Sequence, residues 1–339
     1  MGARIIYLDL TCTYRCNLAC PYCYVKTRRE MAPELTTEEI RQLMEDADTL
    51  GAEYFCLTGG EPLLRKDIKA LLKEGTRHSF YLELITNGTL ISKSIADLLA
   101  ERGVLTYVSI DSHKREELER IRGPGTWELV MKGLEYLRKA KATFSLIMTV
   151  SSTNYLHVTD YLAFAREAGA SWVTLMPLME IGRGYPYVPG PHQVEQTLKL
   201  AEEACEEMDY HVEIWCLPFA KYLVRSDKIE VVSCPTEYVD VSPTGDLLLC
   251  DIMGVPVVNL RGKGLLEAYA EFLEDPLVKD IDDPDKAKGK CLKCYRRLGG
   301  CERCCARPYF KNGDPLGPDP LCTVKLPQAG PLNRGSSSA

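Results

Sequence analysis

The chain has 339 residues, of which 45% are hydrophobic and 26% are charged, and its formal net charge is −7. These proportions are typical of a globular protein with one large and one smaller domain. The negative net charge argues against a nucleic-acid backbone as the general partner, and no run approaches the roughly 18 apolar residues of a membrane span. The amino terminus lacks the layout of a secretion signal, so we expect a cytoplasmic protein.

Fifteen cysteines are distributed unevenly along the chain. Four lie in the first 23 residues, nine lie between Cys216 and Cys322, and residues 57–204 contain none. In an intracellular protein such a number favours metal ligands or catalytic thiols over disulfides. The distribution therefore predicts two metal regions separated by a metal-free body, with Cys12, Cys56 and Cys205 as buried small residues rather than ligands.

The first half of the chain alternates short aliphatic runs with amphipathic stretches. The predicted strands cover residues 4–11, 53–57, 81–85, 104–110, 143–150 and 172–176, and the predicted helices cover residues 37–50, 68–73, 92–102, 127–140 and 155–168. This alternation predicts an α/β fold with six βα units around a parallel sheet. In such folds the chemistry gathers at the carboxyl ends of the strands.

Beyond a predicted helix over residues 193–208 the sequence becomes rich in Pro, Gly and Cys. Short strands are predicted at residues 238–242 and 246–249, in a loop-rich region where metal ligation replaces a conventional core. Residues 328–339 have the composition of a disordered tail.

Three thiols, those of Cys16, Cys20 and Cys23, lie within eight residues just after the first predicted strand. Three protein ligands around a four-iron cluster leave one iron free to bind another molecule. A structural zinc site completed by Cys12 or a distant His is the alternative. The C-x3-C-x2-C spacing, with Tyr22 before the last cysteine, resembles the signature of the radical S-adenosylmethionine (SAM) superfamily.

This resemblance covers residues 5–185 and implies a partial (β/α)6 barrel, whose cysteines hold a [4Fe–4S] cluster that cleaves SAM reductively. The segment Thr58-Gly-Gly-Glu-Pro62 looks like the motif that binds the SAM amino group in that family. The resemblance implies that Arg122 pairs with the methionyl carboxylate, while a surface arginine is the alternative, and that Asn154 borders the adenine, while a helix cap is the alternative. The full set of implied SAM contacts is Tyr22, Gly59, Gly60, Glu61, Asn87, Ser109, Asp111, Arg122 and Asn154.

The distal cysteines look like the SPASM extension of radical SAM enzymes, which carries two auxiliary [4Fe–4S] clusters. The resemblance implies that one cluster is bound by Cys291, Cys294, Cys301 and Cys322, although the spacing before Cys301 is one residue longer than the family pattern. It assigns Cys234, Cys250 and either Cys304 or Cys305 to the other cluster, with Cys216 as the candidate fourth ligand. A pair of zinc ribbons is the alternative, because C-x2-C pairs also serve zinc.

The expected domain organisation is a radical SAM barrel over residues 1–190, a linker helix and bridging segment over 191–233, and a SPASM domain over 234–327. Basic residues concentrate around the distal cysteines in an otherwise acidic chain. They form either a solvated surface or a docking site for an acidic electron donor such as ferredoxin or flavodoxin. The residues concerned are Lys288, Lys290, Lys293, Arg296, Arg297, Arg303, Arg307 and Lys311.

The favoured function is an enzyme that abstracts hydrogen from its substrate through a 5′-deoxyadenosyl radical, giving oxidative or bond-forming modification. The resemblance leaves a cofactor or tetrapyrrole precursor and a peptide or sulfatase-type protein open as substrates. The 15 residues before Cys16 are too few for a leader-binding domain, which favours a small cofactor or a leaderless protein. No general base is assigned among Asp111, Glu180 and Asp251. Non-enzymatic alternatives are an iron–sulfur electron carrier and a zinc-binding interaction protein.

Overall fold

The computed structural model describes residues 4–25 and 33–326. The predicted disordered tail, residues 328–339, lies outside the described residues. The strands are β1 (Tyr7–Thr11), β2 (Tyr54–Thr58), β3 (Tyr81–Thr86), β4 (Leu105–Ser109), β5 (Phe144–Val150), β6 (Trp172–Pro177), β7 (Val212–Ile214), β8 (Ile229–Val231), β9 (Tyr238–Val241), β10 (Asp246–Leu248) and β11 (Pro256–Asn259).

Helices separate most of these strands. They are α1 (Thr37–Thr49), α2 (Ile68–Gly75), α3 (Lys93–Arg102), α4 (Arg115–Arg122), α5 (Thr126–Ala140), α6 (Val158–Ala168), α7 (Pro191–Met208), α8 (Gly264–Glu274), α9 (Pro276–Asp282), α10 (Gly289–Leu298) and α11 (Ala306–Asn312). No helix in the described ranges is long and apolar enough to cross a membrane.

The strands form one sheet in the order β11-β10-β9-β1-β2-β3-β4-β5-β6-β7-β8. Strands β1 to β8 pair in parallel, and β9 also pairs in parallel with β1. Only β10 and β11 are antiparallel to their neighbours. The sheet therefore continues past β1 into the cysteine-rich region, and the division at residues 190 and 233 stays a prediction.

The two faces of the sheet differ in polarity because successive side chains of a strand point to opposite faces. In β1, Leu8 and Leu10 are fully buried and belong to the core that the helices cover. Tyr7, Asp9 and Thr11 occupy the other face, and Asp9 lies opposite Cys56 of β2 in the strand register. The face turned away from the helices is the interior of the partial barrel.

All six predicted strands and the helices between them are present, with ends shifted by a few residues. The sequence signal at the start of α1 is also confirmed, because Thr36 and Glu39 form a reciprocal capping box. Two findings go beyond the prediction. Strands β7 and β8 extend the parallel sheet, and the region predicted to be loop-rich contains helices α8 to α11.

Candidate active site

The three cysteines of the first motif lie in the loop that follows β1. Cys16, Cys20 and Cys23 are all half-buried, and the backbone N–H of Cys23 donates to the carbonyl of Cys20 at 3.3 Å. The Cys20 thiol interacts electrostatically with Cys23 and Cys16 and with Asp111, which follows β4. The loop is therefore positioned where βα folds place their chemistry.

Two glycines at the end of β2 anchor this loop. The N–H of Gly60 donates to Thr13 O at 2.7 Å, and the N–H of Glu61 donates to Arg15 O at 2.9 Å. A Cβ atom on Gly60 would lie 2.3 Å from Arg15 O, and one on Gly59 would lie 2.4 Å from Thr13 O. Only glycine permits such a close approach of two backbones, so this segment fixes where the cysteine loop begins.

The Glu61 carboxylate is fully buried and is bound by donors from two strands. It accepts from Leu63 N at 3.0 Å, from Thr86 Oγ1 at 2.8 Å and from Asn87 N at 2.7 Å. Burial raises its pKa, while the bonds from Asn87 and Thr86 oppose that rise. Two carboxylate oxygens accept about four bonds, so the three protein donors leave room for one more at Oε2.

Asn87 connects the end of β3 to the cysteine loop. Its Nδ2 donates to Asn17 Oδ1 at 2.9 Å and lies 3.8 Å from Cys16 Sγ, while its Oδ1 accepts from Thr89 N. Asn17 Nδ2 in turn donates to Thr89 Oγ1 at 2.9 Å. This network orients the first cysteine of the motif, and Asn17 and Thr89 are members that motif comparison did not identify.

A buried ion pair follows β4. Arg122 Nε donates to Asp111 Oδ2 at 2.6 Å, and both side chains are more than nine-tenths buried. Burial raises the pKa of the Cys20 thiol to about 11, an effect that the positive charge of Arg122 partly opposes. The structure therefore brings Asp111, Arg122 and Cys20 together, while the methionyl carboxylate stays the predicted ligand of Arg122.

Asn154 lies at the same end of the barrel and is bonded to backbone groups and to the Ser151 hydroxyl, which donates to its Oδ1 at 3.1 Å. Its Nδ2 donates to Asp111 O and Thr149 O, each at 3.0 Å, and its Oδ1 accepts from Ser151 N at 2.7 Å. These bonds hold the ends of β4 and β5 together. The cap of the following helix is His157 instead. Of the other predicted contacts, Ser109 is half-buried at the end of β4. The buried Tyr22 hydroxyl interacts electrostatically with Asp111 and Arg122.

A further carboxylate joins the first motif to the auxiliary region. Asp251 accepts from Thr11 Oγ1 at 3.2 Å and from the Tyr24 hydroxyl, and its own N–H donates to Asp240 Oδ2 at 2.7 Å. Tyr24 follows Cys23 in the chain and Asp251 follows Cys250. Adjacency to these cysteines is the sequence signal that could have identified the contact. Of the three unassigned carboxylates, Glu180 lies apart and pairs with Lys311 at 3.4 Å.

Acidic side chains line the barrel interior, and comparison of sequence motifs did not identify them. Burial raises the pKa of Asp240 and of Glu83 to about 7, and it also raises that of Asp9, which faces Asp240. The register places no Lys, Arg or His at the inward-facing positions of β1 to β9 within the described chain. The interior is therefore rich in carboxyl groups whose protonated form is favoured by burial, and it lacks a strand-borne cation.

The auxiliary cysteines separate into two groups. The proximal group consists of Cys216, Cys234, Cys250 and Cys304, whose thiols act on one another electrostatically; Cys234 is exposed and the other three are half-buried. Desolvation by the surrounding protein raises the pKa values of Cys216, Cys234 and Cys304, and the hydrogen bond with Cys305 is the main cause that raises the pKa of Cys250. Cys305 is hydrogen-bonded to Cys250 and also donates to Met253 Sδ at 3.5 Å, whereas Cys304 interacts electrostatically with Cys216, Cys234 and Cys250. Cys304 is therefore the better ligand candidate of the two adjacent cysteines.

The backbone of Cys216 supports its membership of the proximal group. Its φ is +57°, a left-handed conformation that costs a non-glycine residue about 1–2 kcal/mol. The two other non-glycine residues with positive φ in the described ranges, Lys141 and Asp209, end helices α5 and α7, where this conformation is ordinary. Cys216 ends no helix, and such strain persists where the surrounding structure imposes it, typically at functional sites.

The distal group consists of Cys291, Cys294, Cys301 and Cys322. They line one cavity together with Tyr222 and Tyr295, and burial raises the pKa of Cys301 to about 12. The extra residue before Cys301 is accommodated after α10, where Gly299 and Gly300 both have positive φ. A Cβ on Gly300 would lie 2.4 Å from the Tyr295 ring, so this tight turn requires glycine.

The spacing of the thiols bears on the metal. In the described part of the chain, no three cysteines bring their Sγ atoms within 4.8 Å of one another. A tetrahedral zinc ion with bonds of about 2.3 Å needs sulfur atoms about 3.8 Å apart. The described thiols therefore present no preformed tetrahedral zinc site.

The basic residues do not form one surface patch. Arg307 is buried against Asp319, and the guanidinium of Arg303 donates to the carbonyls of Ile281, Asp283 and Leu316. Lys293, Arg296 and Arg297 of α10 are exposed, beside Cys291 and Cys294 of the same helix. The predicted docking surface therefore includes fewer than the eight basic residues named from the sequence, and its exposed charges lie on α10.

Comparison with known proteins agrees with this geometry. Residues 10–175 match the family model described as the radical SAM superfamily. The AdoMet-dependent heme synthase of Methanosarcina barkeri is 31% identical over 95% of this chain and 97% of its own. The PqqA peptide cyclase of Granulibacter bethesdensis is 27% identical over 92% of this chain and 85% of its own.

The fold is shared with SuiB of Streptococcus suis, which has been solved bound to S-adenosylmethionine and to the precursor peptide SuiA. The SAM-bound structure superposes with a TM-score of 0.74, covering 95% of this chain and 78% of SuiB at 18% identity. The sequence match along almost the whole length of a curated relative establishes the family. The chain is an enzyme of the radical SAM superfamily, and its relatives include the SPASM-type maturases.

Proposed function

We propose that Cys16, Cys20 and Cys23 hold a [4Fe–4S] cluster and that the proximal and distal groups each hold an auxiliary one. The observation that carries this proposal is the anchoring of the half-buried cysteine loop by Gly59 and Gly60 beside Glu61, Asn87 and Arg122. Three cysteines in one loop leave a coordination position for SAM, and the donor set fits the cofactor. When bound, the cluster supplies the electron that cleaves SAM to a 5′-deoxyadenosyl radical.

The remaining chemistry belongs to residues of the chain. The open acceptor position of Glu61 suits the ammonium group of SAM, and the Arg122 guanidinium, fixed by Asp111, suits its carboxylate. Asn87 orients Cys16 through its Nδ2. Asp251, held by Thr11 and Tyr24 next to the cysteine loop, is the carboxylate best positioned to accept a proton during substrate oxidation.

Two substrate classes have support. A heme-type tetrapyrrole precursor is favoured by the relative named a heme synthase, which this chain matches over 97% of that relative's length. A peptide or protein is favoured by the relative named a PqqA peptide cyclase, which this chain matches over 85% of that relative's length.

Anaerobic reconstitution followed by product analysis tests this proposal. About twelve irons per chain and 5′-deoxyadenosine formation with dithionite support the enzyme. Stoichiometric zinc, with no 5′-deoxyadenosine, would instead support the zinc-binding protein, and iron without SAM cleavage would support the electron carrier. Mass spectrometry of tetrapyrrole and peptide substrates then separates the two substrate classes.

The electron donor is proposed to be an acidic ferredoxin or flavodoxin that docks at α10 in the cytoplasm. Lys293 and Arg296 are exposed there, and both are on the helix that carries Cys291 and Cys294. Changing both to Glu should slow reduction by flavodoxin at low salt but leave reduction by dithionite unchanged, because only the protein donor needs charge complementarity. Equal rates with flavodoxin would exclude this docking site.

A further inference from the structure

One buried cation lies between the two auxiliary cysteine groups. Arg307 is 3% exposed, and its Nε lies 2.9 Å from both carboxylate oxygens of Asp319. Its Nη1 lies 3.9 Å from Met179 Sδ, in the loop after β6. The side chain is thus fixed by α11, the carboxy-terminal segment and the barrel together.

Arg307 is oriented toward the proximal group. Its backbone N–H is bonded to the Cys304 thiol, three residues earlier, and its positive charge acts on both Cys304 and Cys216. A buried charge is screened weakly, so it influences nearby charges more strongly than a surface lysine does.

Asp319 connects this cation to the distal group. Besides binding Arg307, its Oδ1 accepts from Leu321 N at 2.9 Å, and its carbonyl accepts from Cys322 N at 3.2 Å. The Arg307–Asp319 pair therefore spans from a proximal cysteine to a distal one.

The two groups differ in the cations near them. The distal group lies near Lys290, whose Nζ is 3.8 Å from Cys322 Sγ, and near Lys221, whose side chain is 39% exposed. Lys290 and Arg303, which line the same cavity as the distal group, are half-buried, so water screens these charges more than it screens Arg307. The proximal group instead has a fixed cation out of solvent, which implies a different electrostatic environment for a cluster bound there.

We propose that Arg307 is a positioning residue that raises the reduction potential of the cluster in the proximal group, and that Asp319 offsets part of this effect. The proposal rests on the proposed function, because it requires an iron–sulfur cluster at these cysteines. Reduction adds one negative charge to an anionic cluster, which a neighbouring cation stabilises and a neighbouring anion destabilises. The two substitutions that neutralise the pair must therefore shift the potential in opposite directions.

The test is an EPR-monitored redox titration with dithionite as reductant. It uses the full chain with Cys16, Cys20 and Cys23 changed to Ala, so that only auxiliary clusters contribute. Arg307→Gln should make the proximal cluster at least tenfold harder to reduce, a decrease of about 59 mV for a one-electron couple, and Asp319→Asn should raise its potential. Arg307→Lys should retain most of the parent potential.

Lys311→Gln is the matched control, because it removes the same charge from an exposed position on α11. Shifts in the same direction for Arg307→Gln and Asp319→Asn, or equal shifts for Lys311→Gln and Arg307→Gln, would overturn the proposal. If Arg307→Gln loses its iron, the test rests on Asp319→Asn alone. A lower or unchanged reduction potential of the proximal cluster in that variant would then overturn the proposal. Absence of iron in the parent protein would contradict the proposed function instead.

Discussion

At the scale of single residues, two glycines explain how the cysteine loop is held in place. Gly59 and Gly60 allow the end of β2 to touch the backbone at Thr13 and Arg15, and no side chain fits between them. The family motif predicts a role in SAM binding for this segment. The structure adds that the same glycines position the loop that carries Cys16.

Gly60→Ala tests this anchoring role. The new Cβ would lie 2.3 Å from Arg15 O, so the loop must move, and we expect loss of about four irons and at least a hundredfold loss of SAM cleavage. Iron analysis and quantification of 5′-deoxyadenosine measure the effect. Gly190→Ala is the control, because its Cβ meets only Gln193 Oε1 at 3.8 Å. Full cleavage by Gly60→Ala would refute the anchoring role.

The strained backbone of Cys216 leads to a second prediction at this scale. Cys216→Ser should perturb the EPR signal of the proximal cluster or lower the iron content by up to about four atoms, because it removes a ligand. Cys305→Ser should change neither, since Cys304 is the member of this adjacent pair that interacts with Cys216 and Cys234. If Cys305→Ser perturbs the proximal cluster and Cys216→Ser does not, the fourth ligand is Cys305 instead.

At the scale of elements, the sequence predicted those parts of the fold with a repeating pattern. Strands β1 to β6 are largely apolar runs of five or more residues that take turns with amphipathic helices, and this repeat is long enough to recognise. Strands β7 and β8 have three residues each, too few for any period. The half-buried face of α10 is formed by Cys291, Cys294, Tyr295 and Leu298, and from the sequence its cysteines are interpreted as metal ligands in a loop. Tertiary contacts determine these elements.

The residues of the candidate site were likewise predictable only where they form a local sequence pattern. Local spacing identified the cysteines of the first motif, but the pairing of Asp251 with Thr11 joins residues 240 positions apart. Likewise, spacing left Cys304 and Cys305 equivalent, and only the fold places Cys304 next to Cys216 and Cys234. Contacts of this kind depend on the order of strands in the sheet.

The inward face of β3 gives a pH-dependent prediction. Burial raises the pKa of Glu83 to about 7, so this carboxyl keeps its proton in the folded state where the unfolded chain has already lost it. Between about pH 4.5 and pH 7 the folded state binds more protons, and the contribution of Glu83 to stability falls as pH rises. Glu83→Gln should remove this dependence.

Denaturant midpoints of both proteins, measured anaerobically from pH 5 to pH 8, test this expectation. The midpoint of Glu83→Gln should increase relative to that of the parent as pH rises to about 7, with no further relative gain above it. Glu101→Gln on the exposed end of α3 serves as the control. A parallel pH dependence for the parent and Glu83→Gln would show that Glu83 titrates normally.

At the scale of the whole molecule, a single sheet joins the barrel to the cysteine-rich region. Strand β9 pairs with β1, and the residue after Cys250 is hydrogen-bonded to the residue after Cys23. The proximal group is thereby held near the cysteine loop, and the distal group follows through the Arg307–Asp319 pair. This arrangement suits a radical reaction in which an electron leaves the product through auxiliary clusters.

SAM cleavage by the protein that lacks Cys16, Cys20 and Cys23 is the most direct test of this account. Reconstituted parent protein should bind about twelve irons and form 5′-deoxyadenosine with dithionite, whereas the Cys16→Ala, Cys20→Ala, Cys23→Ala variant should keep about eight irons and form none. The auxiliary groups should be unaffected, since their ligands come from other parts of the chain. Retained cleavage in the variant would contradict the assignment of the SAM-binding cluster to this loop.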